Sequence, residues 1–564
     1  MKRIAVPLIL LVGFGGRAEC RKSATMVQSF EDIKPSAELI WTPCFDNFTC
    51  SRLKVPLDYS NPDLGTAPIA FMKLAGKNVT SDSQSIVIIP GKTPRVILSS
   101  GNQANPTTGG PGGSSIDLLQ EYKDQMGLMF GETYNFVGLD PRGIERSGPK
   151  IDCFRNKEAR KAFNRAHYTG ATNTSTNSFE EQYYSAEIYG DLCNEEVKTK
   201  SPYGYYVTSP AVARDILTFI EADAKLAGHE PSEAKLWGFG NSYASVIGTT
   251  FASMFPDRVE RLILESVLDV DQYYKNNWRS NFIDSDKAFE QFSVRCHAAG
   301  PDLCAFWGPT PENITARIDT LIRDISSHPI PVSGIGGHTL PGLATYSDLK
   351  SLIAYGIYEP RTYFPIFADI FAELESGNAS ALIGWSEKLY LASDVDVIIR
   401  CADSYRNNKL VTLEDWKDYI EDSVSRSKYI GDVFPIWART ILCRSLKPRL
   451  PDSMMLQGPV TGINKPMSFP ILFTSNTLDP VAPAAKYVIQ LPYPAMISSL
   501  IPFSAHKIAL RFPRSVVLLQ ESVGHPVTRE GGSPCYYGHI QGYLQGVLPP
   551  ANITCPQKYF PFLD

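Results

Sequence analysis

The chain has 564 residues, 43% hydrophobic and 20% charged, which allows a full core plus a second module and excludes a disordered polymer. Its 54 Lys+Arg against 59 Asp+Glu leave a net charge of -5, with no basic run to act as a nucleic-acid patch, so no nucleic-acid partner is expected.

The N-terminal stretch MKRIAVPLILLVGFGGRAEC sets Lys2 and Arg3 before an apolar run from Ile4 to Phe14 and then small residues, the order of a secretory signal. That run is well short of the ~20 apolar residues a bilayer requires, and no later segment reaches that length without charges, so no stable membrane insertion is expected. Residues 1–20 are read as a signal peptide, cleaved after Ala18 or after Cys20. The second site leaves ten of the 11 cysteines, an even number suited to an oxidising compartment. Nearest-neighbour pairing is the expectation for these ten: Cys44 with Cys50, Cys153 with Cys193, Cys296 with Cys304, Cys401 with Cys443, and Cys535 with Cys555. No spacing is of the Cys-x-x-Cys type, so no metal is expected. Six Asn-x-Ser/Thr sequons, at Asn47, Asn78, Asn173, Asn313, Asn378 and Asn552, also fit a secreted, extracellular glycoprotein.

From about Ile69 to Asp269, short β-rich runs alternate with helical patterns, which predicts a mostly parallel sheet with helices on both faces. The candidate strands are APIAFMKL, SIVIIPG, RVILSSG, YNFVGLD, AKLWGFG and RLILESV. A helix is predicted over SPAVARDILTFIEADAKLAG, with Ser209 as N-cap, Pro210 at the first helical position and Gly228 as the stop. A second begins at Ser242 and carries Ala244, Gly248 and Ala252 as a narrow stripe suited to close packing on the sheet. The middle of the chain is helix-rich and aromatic, and from about Lys465 the strand pattern returns with FPILFTSN and SVVLLQES. The predicted layout is an α/β core in two parts, 21–271 and 457–564, with a helical cap inserted over 272–456.

Four short segments follow predicted strands. LWGFGNSYAS places Ser242 between small residues, as a nucleophile on a sharp strand-to-helix turn requires, although the pattern alone is too short to distinguish this from an ordinary turn. TTGGPGGSS, from Thr107 to Ser115, is dense enough in glycine for backbone N–H groups to reach a ligand oxygen. SNTLDPVAP sets Asp479 at a strand end, and SVGHP does the same for His525. The chain order Ser, Asp, His at the carboxyl ends of parallel strands is the order of a triad on an α/β-hydrolase sheet. Of the other histidines, His539 is the nearest substitute for His525.

Taken together, GGPGGSS, NFVGLDPRGIERSGP, LWGFGNSYASVIGTTFASMFPDRVERLILESVLD, IIRCADSY, LFTSNTLDPVAP and SVGHP resemble the α/β-hydrolase serine peptidases of the prolyl aminopeptidase and tripeptidyl aminopeptidase type, especially secreted members with a tripeptidyl-aminopeptidase-like C-terminal region. The resemblance runs from about Trp41 to Cys555. It implies Ser242 as nucleophile, Asp479 as orienting acid and His525 as general base and then acid. An oxyanion hole would use the N–H of Tyr243 and one from the turn Gly109-Gly110-Pro111-Gly112, where Gly110 is chosen because Pro111 has no N–H. Asp140 and Arg142 would be scaffold residues, and Asp403 in RCADSY either an anchor for a substrate amine or part of a buried salt bridge.

The chain departs from that pattern in three places. Ala244 replaces the usual glycine, Glu145 stands in GIERS where the family has GIGRS, and Thr107 and Thr108 precede the glycines. Glu145 is read as a binder of a substrate amino group or as a solvent-facing residue. The function expected is a secreted serine exopeptidase, without cofactor, acting on a peptide or small acyl substrate. An esterase or lactonase and a noncatalytic binding protein are the alternatives. The oligomeric state is not legible.

Overall fold

The computed structural model describes residues 26–563 apart from 92–109, 168–169, 173, 335–340, 388–393, 409, 464–466, 485, 490–498, 503 and 552, with the backbone alone of 486–489 and 499–502. The expected signal peptide, the strand RVILSSG, Thr107 to Gly109, Asn173 and Asn552 lie outside the described residues.

Ten strands form one sheet: β1 (Thr42–Cys44), β2 (Phe48–Pro56), β3 (Thr66–Leu74), β4 (Ser85–Ile89), β5 (Asn135–Asp140), β6 (Leu236–Asn241), β7 (Val259–Glu265), β8 (Leu472–Leu478), β9 (Val516–Val523) and β10 (Thr554–Cys555). Their spatial order is β1-β2-β3-β5-β4-β6-β7-β8-β9-β10. Every pairing from β5 to β10 is parallel. The strand APIAFMKL departs from the expected parallel series, because β3 runs antiparallel to both β2 and β5. The nine residues from 57 to 65 between β2 and β3 are too few for the crossover that a parallel pair demands.

The apolar runs of the central strands are continuous because both faces are covered, and the strand period of two divides them between two cores. Val87, Ile89, Val137, Leu139, Leu262 and Leu264 pack into one core. Ile86, Ile88, Phe136, Phe239, Ile263 and Leu472 pack into the other. Sheet register therefore fixes which edge of the sheet each strand end meets.

The first predicted helix spans Ser209–Leu226, but its N-cap is Thr208, one residue earlier than the sequence indicated. Ser209 does not cap because its hydroxyl is engaged by Asp403. Gly228, just past the helix end, has φ 81°, a left-handed value that glycine adopts without strain. The second predicted helix spans Tyr243–Met254 and is buried along nearly its whole length. A Cβ at Gly248 would lie 2.5 Å from Leu264 Cδ2, so the small stripe lets this helix sit directly on β7.

Between β7 and β8 the chain builds helices, among them Ser285–Ala299, Pro311–Ser327, Tyr346–Gly356, Pro360–Glu375, Val395–Ser404 and Leu413–Arg426, and one short hairpin, Ile330–Val332 with Gly342–Ala344. Disulfides join Cys44 to Cys50, Cys153 to Cys193, Cys296 to Cys304, Cys401 to Cys443 and Cys535 to Cys555. The asparagines of four sequons, Asn47, Asn78, Asn313 and Asn378, are exposed. Among the described residues no helix is long and apolar enough to cross a membrane.

The Gly248 contact yields a first prediction. Gly248→Val forces a branched side chain against Leu264 and should destabilise the protein by about 1–3 kcal/mol. Chemical denaturation at neutral pH measures this, and a loss below 0.5 kcal/mol, on the order of an ordinary surface change, would contradict the tight helix-to-sheet contact.

Candidate active site

β6 ends at Asn241, and the chain turns at once into the helix Tyr243–Met254. Ser242, at the turn, has φ 56° and ψ -122°, a conformation costly for any residue with a side chain. The neighbours hold it there. Ser242 N donates to the Glu265 carbonyl at 2.9 Å, and its own carbonyl accepts from Ser245 N at 2.8 Å and Ser245 Oγ at 2.6 Å. Gly240 explains why Ala244 is accommodated: a Cβ on residue 240 would stand 2.5 Å from Ala244 Cβ. A bare position two residues before the serine makes room for the methyl two residues after it.

His525 follows β9 and points its Nε2 at Ser242 Oγ, 2.7 Å away. Its Nδ1 lies 2.9 and 3.0 Å from the two carboxylate oxygens of Asp479, which follows β8. An ionised carboxylate only accepts, so Nδ1 carries the proton and Nε2 is left to accept from the serine hydroxyl. Asp479 is in turn fixed by Val481 N at 3.0 Å and Ala482 N at 2.8 Å, both donating to Oδ1. The three side chains are buried, with Ser242 at 4%, Asp479 at 0% and His525 at 1% exposure.

Two supports of this arrangement are not evident from the sequence. His525 N donates to the Tyr358 carbonyl at 2.6 Å, and the Tyr358 ring meets the imidazole edge-on with centroids 5.4 Å apart. Glu265 is fully buried, accepts from Thr528 Oγ1 and Tyr536 Oη at 2.7 Å each, and its burial raises its pKa. It ties the end of β7 to the segment after His525.

Gly110 packs against Tyr243, where a Cβ on the glycine would be 2.7 Å from Tyr243 Cβ. Tyr243 opens its helix, so its N–H belongs to the first turn, which has no carbonyl partner within the helix. Gly110 and Ser242 line one cavity of about 30 Å³. Its far wall comes from the helical segment, through Trp278, Tyr358, Phe434, Trp437 and Arg400. Arg400 is the only charged side chain in that lining among the described residues. It lies three residues before Asp403 in IIRCADSY, and the aromatic residues of this wall carry no periodic signal that reading along the chain could detect.

The buried salt bridge expected as one role of Asp403 is not formed among the described residues, and Asp403 is absent from the described cavity lining. It is buried, accepting from Ser209 N at 2.7 Å, Ser209 Oγ at 2.6 Å and Tyr273 Oη at 2.8 Å. Ser209 Oγ also bonds Tyr243 Oη at 2.8 Å, so this cluster clamps the residue that follows the nucleophile. Burial, only partly offset by these donors, pushes the Asp403 carboxyl up to about 7. Glu145 is exposed, has φ 33° and is absent from the described cavity lining.

Arg142 is a fully paired buried cation, with Nε and Nη2 each 2.7 Å from Asp215 and Nη1 2.6 Å from the Leu57 carbonyl. Asp140 accepts from Ser114 Oγ and Arg146, and burial raises it to about 6. Both hold loops beside the sheet edge. His539 lies with Cys535 and Cys555 in a group of metal-ligand spacing, but those two sulfurs are bonded to each other. This leaves His539 without the thiolates a metal site there would need.

No family model matches the chain. It is 28% identical over 338 residues to the tripeptidyl aminopeptidase of Streptomyces lividans, covering 59% of this chain and 54% of that protein. The chain thus spans about half the length of the Streptomyces relatives it matches. It is 23% identical over 588 residues to serine protease Hip1 of Mycobacterium tuberculosis, covering 98% of this chain and 96% of that protein. Among solved structures, a serine hydrolase from Cycloclasticus zankles aligns over 88% of this chain and 98% of its own, with 10% identity and a TM-score of 0.34. By its mostly parallel sheet and the sharp strand-to-helix turn at Ser242, the chain has an α/β-hydrolase fold.

A pH prediction follows from Asp403. The folded carboxyl binds a proton up to about 7 and the unfolded one only up to about 3.8, so between these values the native state holds more protons and stability falls as pH rises. Asp403→Asn removes that dependence. Measured by denaturant unfolding, the variant should gain on the wild type from pH 4 to 8 by on the order of 4 kcal/mol. Parallel pH curves for the two proteins would mean that Asp403 is ionised throughout.

Proposed function

We propose that the protein is a secreted serine exopeptidase that releases single residues or short peptides from peptide N-termini through an acyl-enzyme on Ser242. The observation that carries the catalytic part is the unbroken chain from Ser242 Oγ through His525 to Asp479, with contacts of 2.7 and 2.9 Å. His525 takes the serine proton as Oγ attacks the scissile carbonyl, and Asp479 stabilises the imidazolium that results. The N–H groups of Tyr243 and Gly110 receive the developing oxyanion, and His525 then returns its proton to the leaving amine. Water, activated by the same histidine, releases the acyl group.

The choice of peptides is supported by the names of the two relatives, one an aminopeptidase and one a protease. The choice of chain ends is supported by the cavity, whose 30 Å³ holds about two waters. In this reading residues 272–456 act as a cap over the cavity that admits a terminus. The signal-like N-terminus, the exposed sequons and five disulfides support export. A second reading, hydrolysis of esters or other small acyl compounds, is favoured by one feature: no carboxylate lines the described cavity to meet an ammonium group.

The test is fluorophosphonate labelling of wild type and Ser242→Ala, followed by matched aminoacyl, tripeptidyl and ester substrates with free or blocked amines. The expected result is labelling lost in the variant and kcat/KM at least tenfold higher for free amines, with kcat reduced about 10³-fold or more in His525→Ala. Equal labelling of both proteins removes Ser242 from the mechanism, and a preference for blocked amines or esters moves the assignment to the second reading.

A further inference from the structure

Arg400 differs from Arg142 and Arg146, the paired cations beside the sheet edge, in lining the cavity of Ser242. Its side chain is 5% exposed, on the helix Val395–Ser404, and it lines the same small cavity as Ser242 and Gly110. Its Nε donates to the Asp396 carbonyl at 3.4 Å, a long contact, and its Nη2 makes no hydrogen bond. The nearest carboxylate oxygen, Asp396 Oδ2, is 3.7 Å from that nitrogen, while Asp396 Oδ1 is taken by Arg439 Nη2 at 2.6 Å. Asp396 thus faces two guanidinium groups, of which Arg439 also interacts with Asp394 and Arg400 is the one that lines the cavity.

A buried guanidinium group left short of acceptors is costly, and Arg400 lacks the acceptors that Arg142 has in Asp215 and the Leu57 carbonyl. The aromatic neighbours add little to offset this: the Arg400 guanidinium carbon is 5.8 Å from the Trp278 ring centroid. A planar donor fork held in a water-poor pocket is suited to a carboxylate, which it can engage through parallel hydrogen bonds. No carboxylate of the protein lines the described cavity to fill that place.

We propose that Arg400 is a specificity-determining residue that receives a carboxylate of the substrate beside the scissile bond. The inference rests on the reading of Ser242 as nucleophile. Two sources carry this chemistry: an acidic side chain on the residue that supplies the scissile carbonyl, and the α-carboxylate of a short leaving peptide. The cavity then acts as a filter in which the aromatic walls exclude water and the cation selects charge.

Three substrate pairs test this on the full-length protein: free-amine peptidyl coumarins ending in Glu or Gln, tetrapeptides with a C-terminal acid or carboxamide, and p-nitrophenyl esters of glutaric acid or its monoamide. The readout is the acid-to-amide ratio of kcat/KM in wild type, Arg400→Gln and Arg400→Lys, with fluorophosphonate labelling of Ser242 showing that each variant keeps its site. Because it is a ratio, a general loss of activity does not count. The expected result is a wild-type ratio of roughly tenfold or more in one peptide pair, near one in Arg400→Gln and intermediate in Arg400→Lys. The pair that discriminates identifies the source. A wild-type ratio near one in all pairs, or a ratio that Arg400→Gln retains, overturns the proposal. If Ser242 is labelled but neither peptide pair is cleaved, the peptidase reading fails, and the ester pair decides the role of Arg400 by the same two criteria.

Discussion

A serine held at φ 56° between a strand and a helix is the constraint to which the rest of the site answers. The backbone does not rest there unaided, so the sheet must supply a carbonyl from β7, the helix must return donors from Ser245, and residue 240 must be bare. Each requirement reaches outward. The carbonyl comes from Glu265, whose buried carboxylate binds Thr528 and Tyr536 and so joins the nucleophile's strand to the segment that carries His525. Strain at one residue is therefore spread over three strands, and the gain is an Oγ pre-aimed at the imidazole.

The Asp403 cluster extends the same logic to the other side of the turn. Tyr243 follows the nucleophile, and its hydroxyl is fixed through Ser209 to Asp403 on a helix of the inserted segment. A carboxyl raised to about 7 in that position is a neutral acceptor and donor through most of the acid range. It can complete a hydrogen-bond ring among hydroxyls without adding a negative charge beside a forming oxyanion.

Much of this was legible in the residues themselves. Ser242, Asp479 and His525 each follow an apolar run that could only be a buried strand, and parallel strands deliver their ends to one edge of a sheet. The walls of the cavity were not legible. Trp278, Tyr358, Arg400 and Trp437 are spread over some 160 residues of helical sequence, and what unites them is packing of the inserted segment over the sheet edge, which no local pattern encodes. Asp403 drew attention for a charge it is disposed to lose, because burial is invisible in a short motif. Ser209 was misread as a helix cap for a related reason: its preference for capping is a local tendency, and a buried tertiary partner outweighs it.

The charges around the cavity set a problem that the geometry resolves in a particular order. During attack the imidazole becomes positive and the carbonyl oxygen negative, and both changes occur where water is scarce. In the proposed reaction Asp479, fixed by two backbone donors, compensates the first, and the N–H groups of Tyr243 and Gly110 compensate the second. Arg400 enters as a third, permanent charge. A cation at the cavity wall favours the oxyanion and disfavours the imidazolium, so left unanswered it would assist one half of the reaction and oppose the other. A substrate carboxylate bound to Arg400 removes that conflict by neutralising the wall before proton transfer begins. In that proposal recognition and chemistry are coupled through one buried guanidinium.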